Sequence, residues 1–270
     1  MLGEFESARP PLEHLVSMIG AIEERLFTIS SSYLPFQSSD KMKIEITMSV
    51  IEYLTPLKRQ RVGFCSSWLS KRNVGDFVRV WIKKGAIQLN DSHRTKPSIY
   101  IGPGTGIGCF CFFLDFIFFI VKIGCSLFKS IIEERDTLKK LFPNKELGEL
   151  DFYFGCRHKE MDFLYSDFWN QMKNNRIIDN FQVAFSRDQN NKIYVQHLLL
   201  QNSKRIYQLI EEKSAYIIIS GNALKMPKDV RDTFKQILIE NSPSIITDER
   251  AENYLRKLEL TGRYLTETWN

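Results

Sequence analysis

Histidine is scarce in this sequence and cysteine little more abundant: four and five residues among 270. Cys65, Cys109, Cys111, Cys125 and Cys156 form no Cys-x-x-Cys pair, and no histidine stands at metal-ligand spacing from them. That excludes a zinc finger or ribbon, and no metal ligands are expected. The cysteines read as free thiols of a reducing compartment, so a cytoplasmic location is expected. The opening residues, MLGEFESARPPLEHL, lack a basic n-region and an apolar h-region, so no signal peptide is expected. Internal repeats and low-complexity linkers are also missing. Lys and Arg exceed Asp and Glu by only 37 to 32 and form no stripe, which argues against nucleic-acid binding. The small basic excess suits a phosphate-bearing ligand.

What is present is ordinary globular composition, 43% apolar and 26% charged, in a length that suits one large domain or two small ones. PLEHLVSMIGAI has apolar residues at helical spacing, and KIEITMSVIEYL alternates from Ile44 to Tyr53 as a half-buried strand would. RVGFCSSWLSKR runs from a glycine turn into a short helix, and FVRVWIKKGAIQL predicts a strand over 77–82. Beyond NDSHRTK the character changes. PSIYI, DFYFGC, NFQVAFS and SAYIIISG are short strands, each followed by a helical or loop segment. That order predicts an α/β fold with a parallel sheet and crossover helices. The expected boundary lies near His93, with a β-rich part at 1–93 and a doubly wound nucleotide domain at 94–270.

Six stretches carry chemistry. PSIYIGPGTG ends an apolar strand in a turn with glycines at 102, 104 and 106, where missing Cβ atoms let N–H groups approach a phosphate and Thr105 adds a hydroxyl. AFSRDQNNKIYVQ supplies Ser186, Arg187, Lys192 and Tyr194: two cations, two hydroxyls and a ring, suited to a 2′-phosphate on an adenosine ribose. IIISGNALKMPKDVRDTF ends a strand at Ser220 and places Pro227 in the first turn of a helix. RLFTISSS and GFCSSWL put small hydroxyl residues beside turns. GRYLTETWN places an indole one residue from the last position. Singly, each has an ordinary reading: a glycine turn, a solvated charged loop, an indole packed on the chain's own core.

In this order and over nearly the whole chain, the stretches resemble the C-terminal half of the NADPH-dependent diflavin reductases, which have a ferredoxin–NADP reductase-type fold. GFCSSWLS, FGCRHKEMDFLY, AFSRDQNNKIYVQH, SGNALKMPKDV and TETWN resemble the branch that serves cytosolic iron–sulfur protein assembly. The resemblance implies a truncated FAD-binding β-barrel followed by the NADP-binding domain, with FAD and NADPH as cofactors. It implies transfer of a hydride from NADPH to FAD. FMN, and passage of electrons to an anamorsin-like iron–sulfur protein, belong to the family's N-terminal flavodoxin-like domain, which has no counterpart in these residues. The first part of the barrel and most of the connecting helical domain also lack one, so only the first step is expected here.

Site residues follow from the same resemblance. Arg25, Leu26, Phe27 and Thr28 match an Arg-x-aromatic-Ser/Thr element, with Arg25 meeting the FAD pyrophosphate, Phe27 packing on the isoalloxazine and Thr28 near flavin N5. Gly63, Phe64, Cys65 and Ser66 match a second FAD element. Thr105 matches the hydroxyl of the NADPH glycine loop. Ser186, Arg187, Lys192, Ile193, Tyr194, Val195 and Gln196 match the 2′-phosphate and adenine contacts, and Asp229 a further NADPH contact. Trp269 matches the aromatic shield over the flavin, with Glu267 as the acidic residue beside it; Thr28, Glu267 and Trp269 form the expected catalytic set. Ser220 stands where several relatives have a Cys, and Phe27 where Tyr is common.

One stretch breaks the pattern. In the family, GPGTG leads within about three residues to Phe-Arg/Lys and a helix containing ER, a continuation supplied here by CSLFKSIIEERD from Cys125. Residues 107–124 are surplus. Three readings stay open: a retained intron, a genuine insertion, or a membrane helix. The first is favoured by the Phe/Ile-rich composition and by glycines at both joins; the last is disfavoured by Asp115 and Lys122. An alternative function accompanies them, an inactive truncated or mis-spliced fragment that acts at most as a binding remnant.

Overall fold

The computed structural model describes residues 7, 9–18, 20, 22–37, 42–85, 87–103, 125–223 and 225–269. In chain order its strands are β1 (Glu52–Leu54), β2 (Gln60–Val62), β3 (Ser98–Pro103), β4 (Leu150–Cys156), β5 (Asn180–Phe185), β6 (Tyr216–Asn222) and β7 (Tyr264–Trp269). Its helices are α1 (Leu12–Met18), α2 (Phe64–Ser70), α3 (Asp91–Thr95), α4 (Cys125–Leu141), α5 (Lys159–Asp162), α6 (Ser166–Asn174), α7 (Val195–Gln201), α8 (Ser203–Glu211), α9 (Met226–Asn241) and α10 (Asp248–Leu260).

The four apolar runs expected to be strands are strands, and β7 joins them in a five-stranded parallel sheet of order β5-β4-β3-β6-β7. β3, β4 and β6 are near-continuous apolar runs because helices cover both of their faces. Alternate side chains divide between two cores. Ile99, Ile101, Tyr153, Ile217 and Ile219 pack with residues of α7 to α10 such as Leu199, Ile206, Phe234 and Leu255. Tyr100, Phe152, Phe154 and Ile218 face the other way, onto Phe128 of α4 and Trp169 and Met172 of α6. The crossovers after β3 and β4 thus cover one face, and those after β5 and β6 the other, which makes the doubly wound arrangement.

Local chemistry sets the element ends. Pro227 lies in the first turn of α9, where its missing N–H costs nothing. The Thr247 hydroxyl caps α10 by accepting from Arg250 N at 3.3 Å. Gly148 is required before β4, because a Cβ there would come within 2.1 Å of the Lys96 carbonyl oxygen.

The expected barrel is not seen among the described residues of the first part. These hold one two-stranded antiparallel sheet, Glu52 opposite Val62, and one isolated bridge between Ile29 and Ile46. The alternation over 44–53 becomes only that bridge and the start of β1. The strand expected over 77–82 does not form, and Phe77, Val80, Trp81 and Ile82 are exposed. A strand needs a neighbour to bond its backbone, and no described strand flanks this segment. α1 forms where the spacing predicts it, yet none of its residues is buried.

Candidate functional site

In an open parallel sheet, ligands bind beyond the carboxyl ends of the strands where the order reverses. Here that point lies between β3 and β6, and the carboxyl ends are Pro103, Cys156, Phe185, Asn222 and Trp269. The topology brings several sequence-named residues to this edge. Ser186 and Arg187 leave β5 directly. Asp229 lies in the first turn of α9, just after β6. Glu267 and Trp269 are on β7, opposite Ser220 and Asn222 of β6. Thr105 and residues 107–124 lie outside the described residues.

The turn after β5 is tied to the turn after β4. Ser186 N donates to the Cys156 carbonyl and Arg187 N to the Arg157 carbonyl, each at 2.9 Å. Asp188 completes the tie: its carboxylate accepts from Lys159 N at 2.9 Å and lies 2.9 Å from His158 Nδ1. The Lys159 N–H first, then His158, hold the Asp188 carboxyl below its usual range. Arg157 meets Asp162 through Nε and Nη2, both at 3.1 Å. Arg187 and Lys192 are exposed, Ser186 is buried, and Tyr194 is 42% exposed with its ring centroid 5.9 Å from that of His197. Ile193 and Gln196 are half-buried and Val195 is buried at the start of α7. The edge therefore offers side chains for a charged, ring-bearing ligand. The Arg157-His158-Lys159 run and Asp188 were not singled out for a role from sequence; the signal available was a run of basic residues directly after a strand.

Buried hydroxyls support the same edge. Ser220 Oγ on β6 and Ser126 Oγ in the first turn of α4 are buried and hydrogen-bond to nothing among the described residues. A buried hydroxyl without a partner is costly. The two buried thiols nearby, Cys125 and Cys156, are each pushed up to about 12, mainly by burial. They stay protonated and unreactive at neutral pH.

The second set of named residues flanks a short ribbon, the segments joined by the bridge between Ile29 and Ile46. Arg25 Nη1 donates to the Glu23 carbonyl at 2.9 Å, Leu26 is exposed, and Phe27 and Thr28 are half-buried. Ser30, Ser31 and Ser32 are buried: Ser30 N donates to the Glu45 carbonyl at 2.8 Å and Glu45 N to Ser31 Oγ at 2.9 Å. Gly63 starts α2, where a Cβ would lie 2.6 Å from Ser66 Oγ and 2.9 Å from Ile51 Cβ. The Ser66 hydroxyl accepts from Ile51 N at 3.2 Å, so it ties the start of α2 to the segment before β1. Phe64 is exposed and Cys65 half-buried.

This sheet order, with its basic turns at the carboxyl edge, defines a dinucleotide-binding domain, and residues 100–232 match the oxidoreductase NAD-binding domain. The whole chain is 34% identical to NADPH-dependent diflavin oxidoreductase 1 of Arabidopsis thaliana, covering 40% of that protein. It is 32% identical to NADPH–cytochrome P450 reductase of Sus scrofa, of which it covers 37%. With NADPH-dependent diflavin oxidoreductase 1 of Xenopus laevis, 96% of the chain aligns at 34% identity and covers 38% of that relative. Over its whole length the chain is similar to the C-terminal portion of these diflavin reductases. It spans about two fifths of the length of the curated relatives it matches.

Proposed function

We propose that the chain is the NADPH- and FAD-binding portion of a diflavin reductase, divided near residue 93. Bound together, the nicotinamide supplies two electrons and the flavin accepts them. Arg187 and Lys192 would hold the 2′-phosphate with a hydrogen bond from Ser186, and Tyr194, Ile193, Val195 and Gln196 would contact the adenine end. Thr105 and Asp229 make further nucleotide contacts. On the flavin side, Arg25 meets the pyrophosphate, Leu26 and Phe27 line the ring with Thr28 at its edge, and the 63–66 turn, including Phe64 and Cys65, takes the remaining phosphate. Trp269 would cover the flavin and give way to nicotinamide, and Glu267 would lie beside it. Electrons would then pass through FMN to an anamorsin-like iron–sulfur protein in the cytoplasm.

The observation that carries the proposal is the tie between the β4 and β5 turns, because it gathers Arg187 and Ser186 with Arg157, His158 and Lys159 at one end of the sheet. Changing Arg187 and Lys192 together to Ala is expected to weaken NADPH binding tenfold or more, with NADH nearly unchanged. Charge-assisted hydrogen bonds contribute roughly 1.5–3 kcal/mol each. Titration with both nucleotides, followed by fluorescence quenching, checks this; equal losses would refute the assignment.

The exposed apolar side chains of 77–82 favour a second reading, a remnant that binds without turnover. Colour separates the two. A yellow protein that quenches NADPH fluorescence supports the reductase, and a colourless one the remnant.

A further inference from the structure

Lys129 has no place in the nucleotide or flavin contacts, yet it is a buried cation on α4. Its ammonium group donates to the Ser30 carbonyl at 3.1 Å and to Glu45 Oε2 at 3.0 Å. Ser30 and Glu45 are on the two arms of the ribbon that carries Arg25 to Thr28, joined by their own backbone bond. One turn further along α4, Glu133 lies 3.8 Å from Lys129 and accepts from Ser32 N at 2.7 Å. The rings of Tyr165 and Phe168 close the other side, each with its centroid 5.4 Å from Nζ. Tyr165 OH in turn meets Thr47 Oγ1 of the ribbon.

We propose that Lys129 is a positioning residue that sets the register of the flavin ribbon against the nucleotide domain. The inference rests on the reading of the ribbon as a flavin site. α4 follows β3, the central strand, and packs on β3 and β6, so its first turns move with the nucleotide edge. The ribbon reaches α4 through hydrogen bonds to two residues on one helix face, Lys129 and Glu133, spaced i and i+4. A single ammonium holding both ribbon arms fixes their distance from the sheet more tightly than an apolar contact would, because its bonds are directional. Buried ion pairs contribute little net stability but can fix geometry. Transfer between two bound rings needs reacting atoms about 3–3.5 Å apart, and a misplacement of about 1 Å costs about a hundredfold.

The test compares Lys129→Met, Lys129→Arg and Glu45→Gln in the full chain, by amide exchange and by kinetics. Lys129→Met is expected to raise exchange at Ser30, Ser32 and Glu45 about tenfold while the amides of β3, β4 and β6 stay protected. With FAD bound, the kcat for NADPH-driven ferricyanide reduction is expected to fall about tenfold or more with KM for NADPH within about twofold. Lys129→Arg, which can still reach Glu45 and the Ser30 carbonyl, is expected to restore most of both, and Glu45→Gln to lie between. Unchanged ribbon exchange in Lys129→Met would overturn the clamp, as would a matching loss of protection throughout the sheet. A rise in KM without a fall in kcat would overturn its role in registration. If the unsubstituted chain takes up no flavin, the functional reading fails, and the exchange experiment still decides whether the clamp exists.

Discussion

At the residue scale, burial decides what a titratable group can do. His93, in α3, is 7% exposed and its ring centroid lies 4.1 Å from that of Tyr216 on β6. Burial first, and then the Arg94 charge, lower its pKa, with the Gly262 backbone opposing them. The folded protein therefore takes up a proton at lower pH than the unfolded chain does. Stability is fully present above the unfolded value of about 6.5 and declines as pH falls below it toward the folded value. Urea midpoints are expected to fall between about pH 7.5 and about pH 5.5, and His93→Gln to flatten that slope. An unchanged slope in His93→Gln would remove the imidazole from the account. Residue chemistry was unevenly legible in the sequence. Ser186 and Arg187 stood out because cations beside hydroxyls after a strand suit a phosphate. Lys129 stood only as part of the Phe-Arg/Lys continuation and without a role, because its partners lie far away in the chain.

At the element scale, the strands were readable because double-sided burial leaves unbroken apolar runs, as in Ile217-Ile218-Ile219. The 77–82 run failed by the same logic reversed: alternation describes a strand only where another strand bonds to it. Pairing between helices was hidden too. Glu252 and Glu259 are one heptad apart on α10, which a sequence can suggest, but their partner Arg231 lies on α9. Arg231 reaches Glu252 at 2.8 Å and Glu259 at 2.6 Å, and its guanidinium carbon lies 5.5 Å from the Tyr264 ring centroid at the start of β7. These contacts tie α9, α10 and β7 into one unit and raise the Arg231 pKa further, chiefly through Glu252. Arg231→Met is expected to cost about 2 kcal/mol in urea unfolding, since hydrogen bonds to charged groups contribute about 1.5–3 kcal/mol. It should also speed amide exchange in β7 more than in β4. Equal effects on the two strands would mean that the unit is not held by this residue.

At the scale of the whole molecule, the parallel sheet with its crossover helices was legible and the part of the chain before β3 was not. Crossover topology follows from the order of local elements, whereas a barrel depends on pairings that no single segment announces. The surplus at 107–124 lies outside the described residues, but the elements on either side are placed: β3 ends at Pro103 and α4 begins at Cys125. Strand-to-helix connections in such folds usually run to about 2–6 residues. Deleting 107–124 leaves Gly104, Thr105 and Gly106, and also removes Phe110, Phe112, Phe113, Phe116, Phe118 and Phe119. The shortened chain is expected to bind NADPH more tightly and to aggregate less. Titration and light scattering on the matched pair check this, and equal behaviour would make the segment a tolerated loop. The register of β3 gives the long chain a different outlook as a folding problem. Ser98 must find both Leu150 and Tyr216, partners that no local turn can deliver. The search is already dominated by the entropy of closing long loops, and that entropy grows only with the logarithm of loop length. Lengthening the first crossover by the 18 residues of 107–124 raises its closure cost by only about 0.4 kcal/mol. The sheet can therefore assemble around a connection that is expected to weaken its ligand site.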